Sequence, residues 1–359
     1  MKILLISYGD LEYDGRLRSL LSVFNKIGTV YSFTRGKRKQ SKNSIICNKS
    51  YIKFIRDSIR CSKKLSNIDI LVLDNRKATV PGLIIKKILK PRFVIQDCRE
   101  LYLIREVKQL SSKIGCIFER IMTKKADVVI CANNERAEIM KREYHLDRTP
   151  LTYENLRKLE YSPSEDMQLI EKKFSQYIRK DEIRIISSSG CSFERTNNVL
   201  VGNLSKIFKK CRLFLVGDSN PREEAAIKKI AEQNTHGEVT ILGKLNQSEL
   251  KYLISQCHLG IVNYGQYDTN NMYCASGKLY EFIYEGIPVV ATTNPPLRRI
   301  CDTYNVGVCD DEYYNGINTV LDDYDNYLTA VKKYTDDYTV EMNDEKLIKD
   351  INEIIYRAG

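Results

Sequence analysis

Lys278 and Glu281 stand three residues apart, so a helix would carry both on one face, just behind the small pair Ser276-Gly277 that opens it. An ammonium and a carboxylate aimed the same way suit a nucleotide: the cation meets phosphate and the carboxylate accepts ribose hydroxyls. An i,i+3 ion pair on a solvated helix face has the same spacing. Upstream, Ser189-Gly190-Cys191-Ser192-Phe193-Glu194-Arg195 is a small-residue turn with a cation at the mouth of an expected helix, a combination that suits phosphate. Gly217-Asp218 is a second turn of this kind. In the first half, Asp14-Gly15-Arg16 and Asp97-Cys98-Arg99-Glu100 set acids beside arginines after apolar runs. The first of these reads equally as a plain turn followed by a helix-face charge.

Short apolar or β-branched runs alternate with helical stretches, the rhythm of βα units around parallel sheets. Strands are expected at 2–8, 29–33, 69–73, 92–96 and 127–131, then at 183–188, 212–216, 238–242, 258–262 and 287–291. A polar, charged stretch near 155–182 reads as a linker between the two series, and 340–357 as a terminal helix. In sheets of this class ligands gather at the carboxyl ends of strands, where the residues named above fall. No G-x-G-x-x-G follows either first strand and no G-x-x-x-x-G-K-[ST] loop is present, so NAD and P-loop chemistry lack support.

The 359 residues fit two domains. Composition is that of a compact soluble protein, 43% hydrophobic and 29% charged. No apolar run approaches a membrane span, and Ile3-Leu4-Leu5-Ile6 is too short for a signal-peptide core. The 11 Cys include no C-x-x-C pair, and His145, His236 and His258 form no H-E-x-x-H, so buried free thiols in a reducing cytoplasm are expected and no metal site. Charge divides unevenly: residues 1–150 carry +17 and the remainder −6. A basic first half expects an anionic partner. In Lys49–Lys64, Ile52, Ile55 and Ile59 form a stripe expected to pack on a sheet, with Lys53, Arg56, Arg60, Lys63 and Lys64 on an adjacent edge that would touch an anionic membrane. No nucleic-acid motif accompanies the charge.

The segment SGKLYEFIYEGIPVVAT at 276–292 resembles the signature of the GT-B retaining glycosyltransferases of family four. The weaker matches SGCSFER at 189–195, LGKL at 242–245 and IVNYG at 261–265 follow in the family's order and spacing. The resemblance implies an α/β fold of GT-B type, two Rossmann-like α/β/α domains facing a central cleft: an acceptor domain over 1–160, a nucleotide-sugar donor domain over 161–338, and a terminal helix over 339–359 packing back on the first domain. It implies catalytic roles for Arg195, Lys278 and Glu281, the last as the ribose-binding Glu that closes the family's E-x7-E motif. Donor contacts are implied for Ser189, Gly190, Gly217, Leu242, Tyr264, Tyr273, Ser276, Gly277 and Leu279. Asp14, Arg16, Asp97, Arg99 and Glu100 are implied on the acceptor side. The departures are Tyr273 for the first Glu of that motif, Cys191 for an Arg after the loop glycine, Ser276-Gly277 for a Pro and its neighbour, and Arg99 for a His.

What the resemblance implies of function is transfer of a sugar from a nucleotide-sugar to a glycan acceptor, lipid-linked, in bacterial surface polysaccharide synthesis. Neither a cofactor, a metal nor a protein base is required, because the departing phosphate oxygen takes the acceptor proton. The implied place is the cytoplasm, peripheral on the inner face of the cell membrane. Two other readings stay open: a non-hydrolysing nucleotide-sugar epimerase, and a non-catalytic GT-B subunit.

Overall fold

The computed structural model describes the chain except for Glu12 and residues 37–41, 48–49, 235–236 and 358–359. Lys49 and His236, named above, lie with Glu12 outside the described residues. The chain divides into two compact units, Met1–Asn155 with Glu341–Gly359, and Leu156–Val340.

The first unit runs β1 (Lys2–Asp10), α1 (Gly15–Ile27), β2 (Thr29–Arg35), β3 (Ser44–Ile46), α2 (Tyr51–Ser62), β4 (Ile70–Asp74), α3 (Thr79–Leu89), β5 (Phe93–Cys98), α4 (Leu110–Thr123), β6 (Val128–Cys131), α5 (Asn134–Tyr144) and β7 (Leu151–Thr152). All seven strands are parallel in the order β3-β2-β1-β4-β5-β6-β7, so the strand order reverses between β1 and β4. Alternate residues of β1 feed opposite faces. Ile3 and Leu5 pack under Leu17, Leu20 and Phe24 of α1, while Leu4 and Ile6 join Phe54 of α2, Ile85 of α3 and Met122 of α4.

The second unit runs α6 (Met167–Ser175), β8 (Ile183–Ser187), α7 (Asn197–Gly202), β9 (Cys211–Val216), α8 (Pro221–Ala231), β10 (Gly237–Leu242), α9 (Gln247–Ser255), β11 (Leu259–Val262), α10 (Thr269–Met272), α11 (Gly277–Tyr284), β12 (Val289–Ala291), α12 (Pro295–Tyr304), β13 (Gly307–Cys309), α13 (Tyr314–Asp322) and α14 (Tyr324–Asp337). Its six parallel strands lie in the order β10-β9-β8-β11-β12-β13, again reversing beside the first strand. Helix starts carry side-chain caps: Asn220 ahead of Pro221, and Asn246 in a reciprocal box with Glu249. The last helix, α15 (Val340–Arg357), buries Leu347 and Ile351 in the core of the first unit. Among the described residues no helix is long and apolar enough to cross a membrane.

All ten expected strands are present, and β3, β7 and β13 are additional edge or near-edge strands of two or three residues. Two expectations are corrected. The stretch 155–182 is not merely a linker, because Leu159 and the α6 residues Ile170 and Phe174 enter the second unit's core. On α2, Ile55 and Ile59 pack against the core but Ile52 is 79% exposed; Phe54 and Ser58 take the innermost positions.

Candidate functional site

Two glycines shape the floor of the second unit's site. Gly190 follows β8 with φ +62°, and a Cβ there would lie 2.3 Å from the Asp218 carbonyl; Gly217 follows β9 with φ +130° and faces the Gly190 backbone. Both turns need glycine, for the left-handed backbone and for the close approach. Gly217 N–H also bonds the Leu242 carbonyl at 3.2 Å, tying the ends of β9 and β10 together.

Below these turns lies a buried polar network. Ser189 Oγ donates to Asn263 Oδ1 at 2.8 Å, Asn263 Nδ2 to Asn197 Oδ1 at 2.7 Å, and Asn197 Nδ2 to Ser189 Oγ at 3.0 Å and the Gly190 carbonyl at 2.6 Å. Closed networks of this kind fix a loop in one geometry. The loop after β11 is pinned from its other side, where Tyr264 N–H donates to Thr292 Oγ1 at 3.0 Å. Tyr264 in turn supports Arg195, whose guanidinium sits 4.0 Å from the ring centroid, a cation–π contact that holds the charge in place without a carboxylate.

Helix α11 supplies the remaining groups. Ser276 caps it by accepting from Leu279 N–H at 3.3 Å, and the half-buried Lys278 reaches across to donate from Nζ to the Ser188 carbonyl. Burial, reinforced by the charge of Arg195, pushes the Lys278 pKa down to about 8. Glu281, one turn on, is buried with its Oε1 3.2 Å from Arg157 Nη1. Burial raises its pKa, while Arg157 and Lys278 pull it back. Arg195, Lys278, Glu281 and Arg157 therefore form one electrostatically coupled group at the carboxyl ends of β8 and β11. Two cations beside a glycine turn can hold a diphosphate, and a buried carboxylate can accept paired hydroxyls.

Ser189, Gly190, Gly217, Arg195, Tyr264, Ser276, Gly277, Lys278 and Glu281 all come together here. Leu279 turns its side chain into the core, and its N–H is already given to Ser276, so it offers no free contact. Tyr273 is half-buried after α10. The Cys191 side chain is fully buried in the core. Sequence reasoning missed Arg157, Asn197 and Asn263. Arg157 fell in the supposed linker, and the two asparagines meet only through tertiary folding.

The first unit carries its own cavity, about 320 Å³, at the carboxyl ends of β1 and β4. Asp14, Arg99 and Glu100 line it, as do Tyr8, Arg35, Arg76, Lys77 and Tyr102. Arg16 and Asp97 do not: they form a buried bidentate pair at 2.6 and 3.1 Å, completed by a bond from Arg16 to the Tyr153 carbonyl at 2.8 Å. Arg99 is likewise committed, bonding Asp74 at 2.5 and 2.6 Å and Asp14 at 2.6 Å, and these carboxylates raise its pKa despite burial. Arg35 and Lys77 each stand 4.7 Å from the Tyr8 ring centroid, and Arg76 stands 4.8 Å from that of Tyr102. Arg76 donates from Nη1 to Cys116 Sγ at 3.0 Å and its charge acts on the buried Glu119. Arg35 and Lys77 form no ion pair among the described residues, and the buried Arg35 Nε has no hydrogen-bond partner. They were not singled out from the sequence.

No family model matches the sequence, and no curated protein matches it. Solved structures do. Anabaena Alr3699/HepE in complex with UDP and glucose is 15% identical with a TM-score of 0.69, covering 98% of this chain and 100% of that one. WaaG, a glycosyltransferase involved in lipopolysaccharide biosynthesis, is 14% identical with a TM-score of 0.67, covering 97% and 99%. UDP-GlcNAc 2-epimerase from Neisseria meningitidis, bound to UDP-GlcNAc, is 11% identical with a TM-score of 0.60, covering 99% and 100%. At these identities the likeness is one of fold. The two Rossmann-like domains are those of the GT-B architecture.

Proposed function

We propose that the chain is a retaining glycosyltransferase that moves a sugar from a nucleotide-sugar to a glycan acceptor. The observation that carries this reading is the convergence of Arg195, Lys278 and Glu281 on the Ser189-Gly190 turn, at the strand-order reversal of the second sheet. The likeness to HepE, whose structure holds UDP and glucose, favours a uridine diphosphate donor. In this reading Glu281 takes the ribose hydroxyls, and Arg195 and Lys278 take the diphosphate.

The acceptor hydroxyl oxygen bonds to the anomeric carbon on the face from which the diphosphate departs. The anomeric C–O bond breaks with its electron pair going to the β-phosphate oxygen, and that oxygen receives the hydroxyl proton. Charge grows on the leaving diphosphate, so preplaced cations stabilise the transition state more than the ground state. No protein base and no metal are invoked. Arg35 and Lys77, the cations of the first unit's cavity that form no ion pair among the described residues, support an acceptor that carries phosphate, as a diphosphate-linked lipid does. The likeness to WaaG and the +17 on residues 1–150 support a surface-polysaccharide role on the cytoplasmic face of a membrane.

Incubation with a panel of nucleotide-sugars, read by NMR, tests the reading. Slow hydrolysis of a donor to free sugar and nucleoside diphosphate is expected, with UDP-glucose among the donors hydrolysed. Appearance of a C2 epimer would instead make the protein an epimerase, and inertness toward every donor a non-catalytic subunit.

A further inference from the structure

Helices α2, α3 and α4 lie side by side on one face of the first sheet, sealing it through Phe54, Ile85 and Met122. Their outward surface is not an ordinary solvated one. Along α4, Leu110, Ile114, Ile117 and Ile121 recur at steps of four, three and four residues, a single helical stripe. Leu110 is 73% exposed and the three isoleucines between 37% and 46%. On the adjoining α3, Ile84 and Ile88 are exposed one turn apart. The residues of α4 that reach the interior are others: Cys116, Glu119, Met122 and Thr123. A contiguous run of large exposed aliphatics marks a contact surface.

The charge around the stripe says what it contacts. Arg56 and Arg60 on α2, Lys87 and Lys90 on and after α3, and Lys124 and Lys125 after α4 are all exposed. Among the residues of the three helices the carboxylates are two: Asp57, bonded to Arg56, and Glu119, which is buried. Six exposed cations thus surround the aliphatics on this face, against Asp57, which pairs with Arg56, and the exposed Asp127 just past α4. A second copy of this face would bring like charges together, and six protruding aliphatics have no counterpart on a nucleic-acid backbone. Apolar residues rimmed by lysine and arginine match the boundary between acyl chains and anionic headgroups.

We propose that this face docks on an anionic lipid surface, with the α4 stripe and Ile84 and Ile88 entering the headgroup–acyl boundary and the surrounding cations meeting lipid phosphates. The contact therefore runs through the apolar stripe of α4, not through the charged edge of α2 alone. The inference rests on the reading of a membrane-bound acceptor.

The chain contains no Trp, so Ile117→Trp gives a single reporter. Its emission should shift to the blue with vesicles of equal parts phosphatidylcholine and phosphatidylglycerol, and stay unchanged with phosphatidylcholine alone. In co-sedimentation, the triple variant Ile114→Ser, Ile117→Ser, Ile121→Ser should partition at least about tenfold more weakly, because each buried methylene contributes to anchoring. Lys124→Gln with Lys125→Gln should weaken binding and flatten its salt dependence. Thermal melts of the variants check that each keeps the fold at the assay temperature. Three results would overturn the inference: no partitioning of the wild type onto anionic vesicles at low salt, wild-type partitioning by the triple serine variant, or wild-type dimers in sedimentation that the triple variant abolishes. UDP-glucose hydrolysis without vesicles, run on the same samples, reports on the donor site separately. Hydrolysis retained while lipid binding is absent would remove this inference and leave the transferase reading intact.

Discussion

Arg157 Nη1 stands 3.2 Å from Glu281 Oε1, and the two side chains are unequally placed, the arginine 41% exposed and the carboxylate 5%. The pair is therefore asymmetric in what it costs to break. Arg157 can turn into water, whereas Glu281 stays in a low-dielectric pocket with Lys278 as its other cation. A ligand offering hydroxyls to Glu281 has to share it with Arg157, so Arg157 positions the carboxylate before the ligand arrives.

Glu281→Ala should accordingly weaken donor binding and turnover by at least about tenfold, since a lost hydrogen bond to a charged group costs about 1.5–3 kcal/mol. The fold should survive, because of the two cations left behind Arg157 is half-exposed and Lys278 keeps its bond to the Ser188 carbonyl. Calorimetric titration with UDP and a thermal melt check the two halves of this statement. Full affinity for UDP in the variant would remove Glu281 from the site.

Lys278 gives a pH signature. Its pKa is pushed down to about 8, and the protonated form is the one that meets phosphate, so kcat/KM for the donor should fall as pH rises through about 8. Lys278→Arg should keep its charge above that pH and flatten the fall, even with a lower absolute rate. A pH–rate profile of both proteins on one donor decides it. An unchanged profile in the arginine variant would assign the alkaline limb to another group.

A second titration concerns stability. Glu119 is buried with Oε1 lacking a partner and Oε2 accepting from Tyr144 Oη at 3.4 Å, and burial pushes its pKa up from the ordinary 4.5 to about 8. The folded state holds a proton that the unfolded state releases, so this contribution is fully present below pH 4.5 and is lost as pH rises toward about 8. The slope should be at most about 1.4 kcal/mol per pH unit. Glu119→Gln keeps the shape and should flatten the urea midpoint across that window. A variant that tracks the wild type would show that Glu119 is already ionised when folded.

The strand pattern was legible because each central strand is a run of apolar residues with both faces buried, as in Ile70–Asp74. The strands Ser44–Ile46, Leu151–Thr152 and Gly307–Cys309 were not, being too short to carry a period. Lys278 and Glu281 were legible because helical spacing is local. Asn197 and Asn263 were not, since they pair across 66 residues. Helix α4 shows a subtler limit. Its sequence offers an apolar stripe, but the stripe faces outward while Cys116 and Met122 face in, and periodicity alone cannot say which side a sheet will cover.

The acceptor side makes the last prediction. Arg35 and Lys77 both hold their charges 4.7 Å from the Tyr8 ring centroid, so two cations share one ring in a cavity of about 320 Å³. Arg99, which the sequence suggested as the acceptor's cation, is neutralised by Asp74 and Asp14. An anion entering the cavity would meet both charges at once. Arg35→Gln with Lys77→Gln should therefore raise KM for a phosphorylated acceptor by about tenfold or more, each lost charged contact being worth about 1.5–3 kcal/mol. Donor hydrolysis in the absence of acceptor should be unchanged, because these residues belong to the other unit. Lys278→Ala should do the reverse, lowering hydrolysis and transfer together. Equal loss of hydrolysis in both variants would mean that Arg35 and Lys77 serve the donor, and an unchanged acceptor KM would mean that the acceptor's phosphate binds outside this cavity.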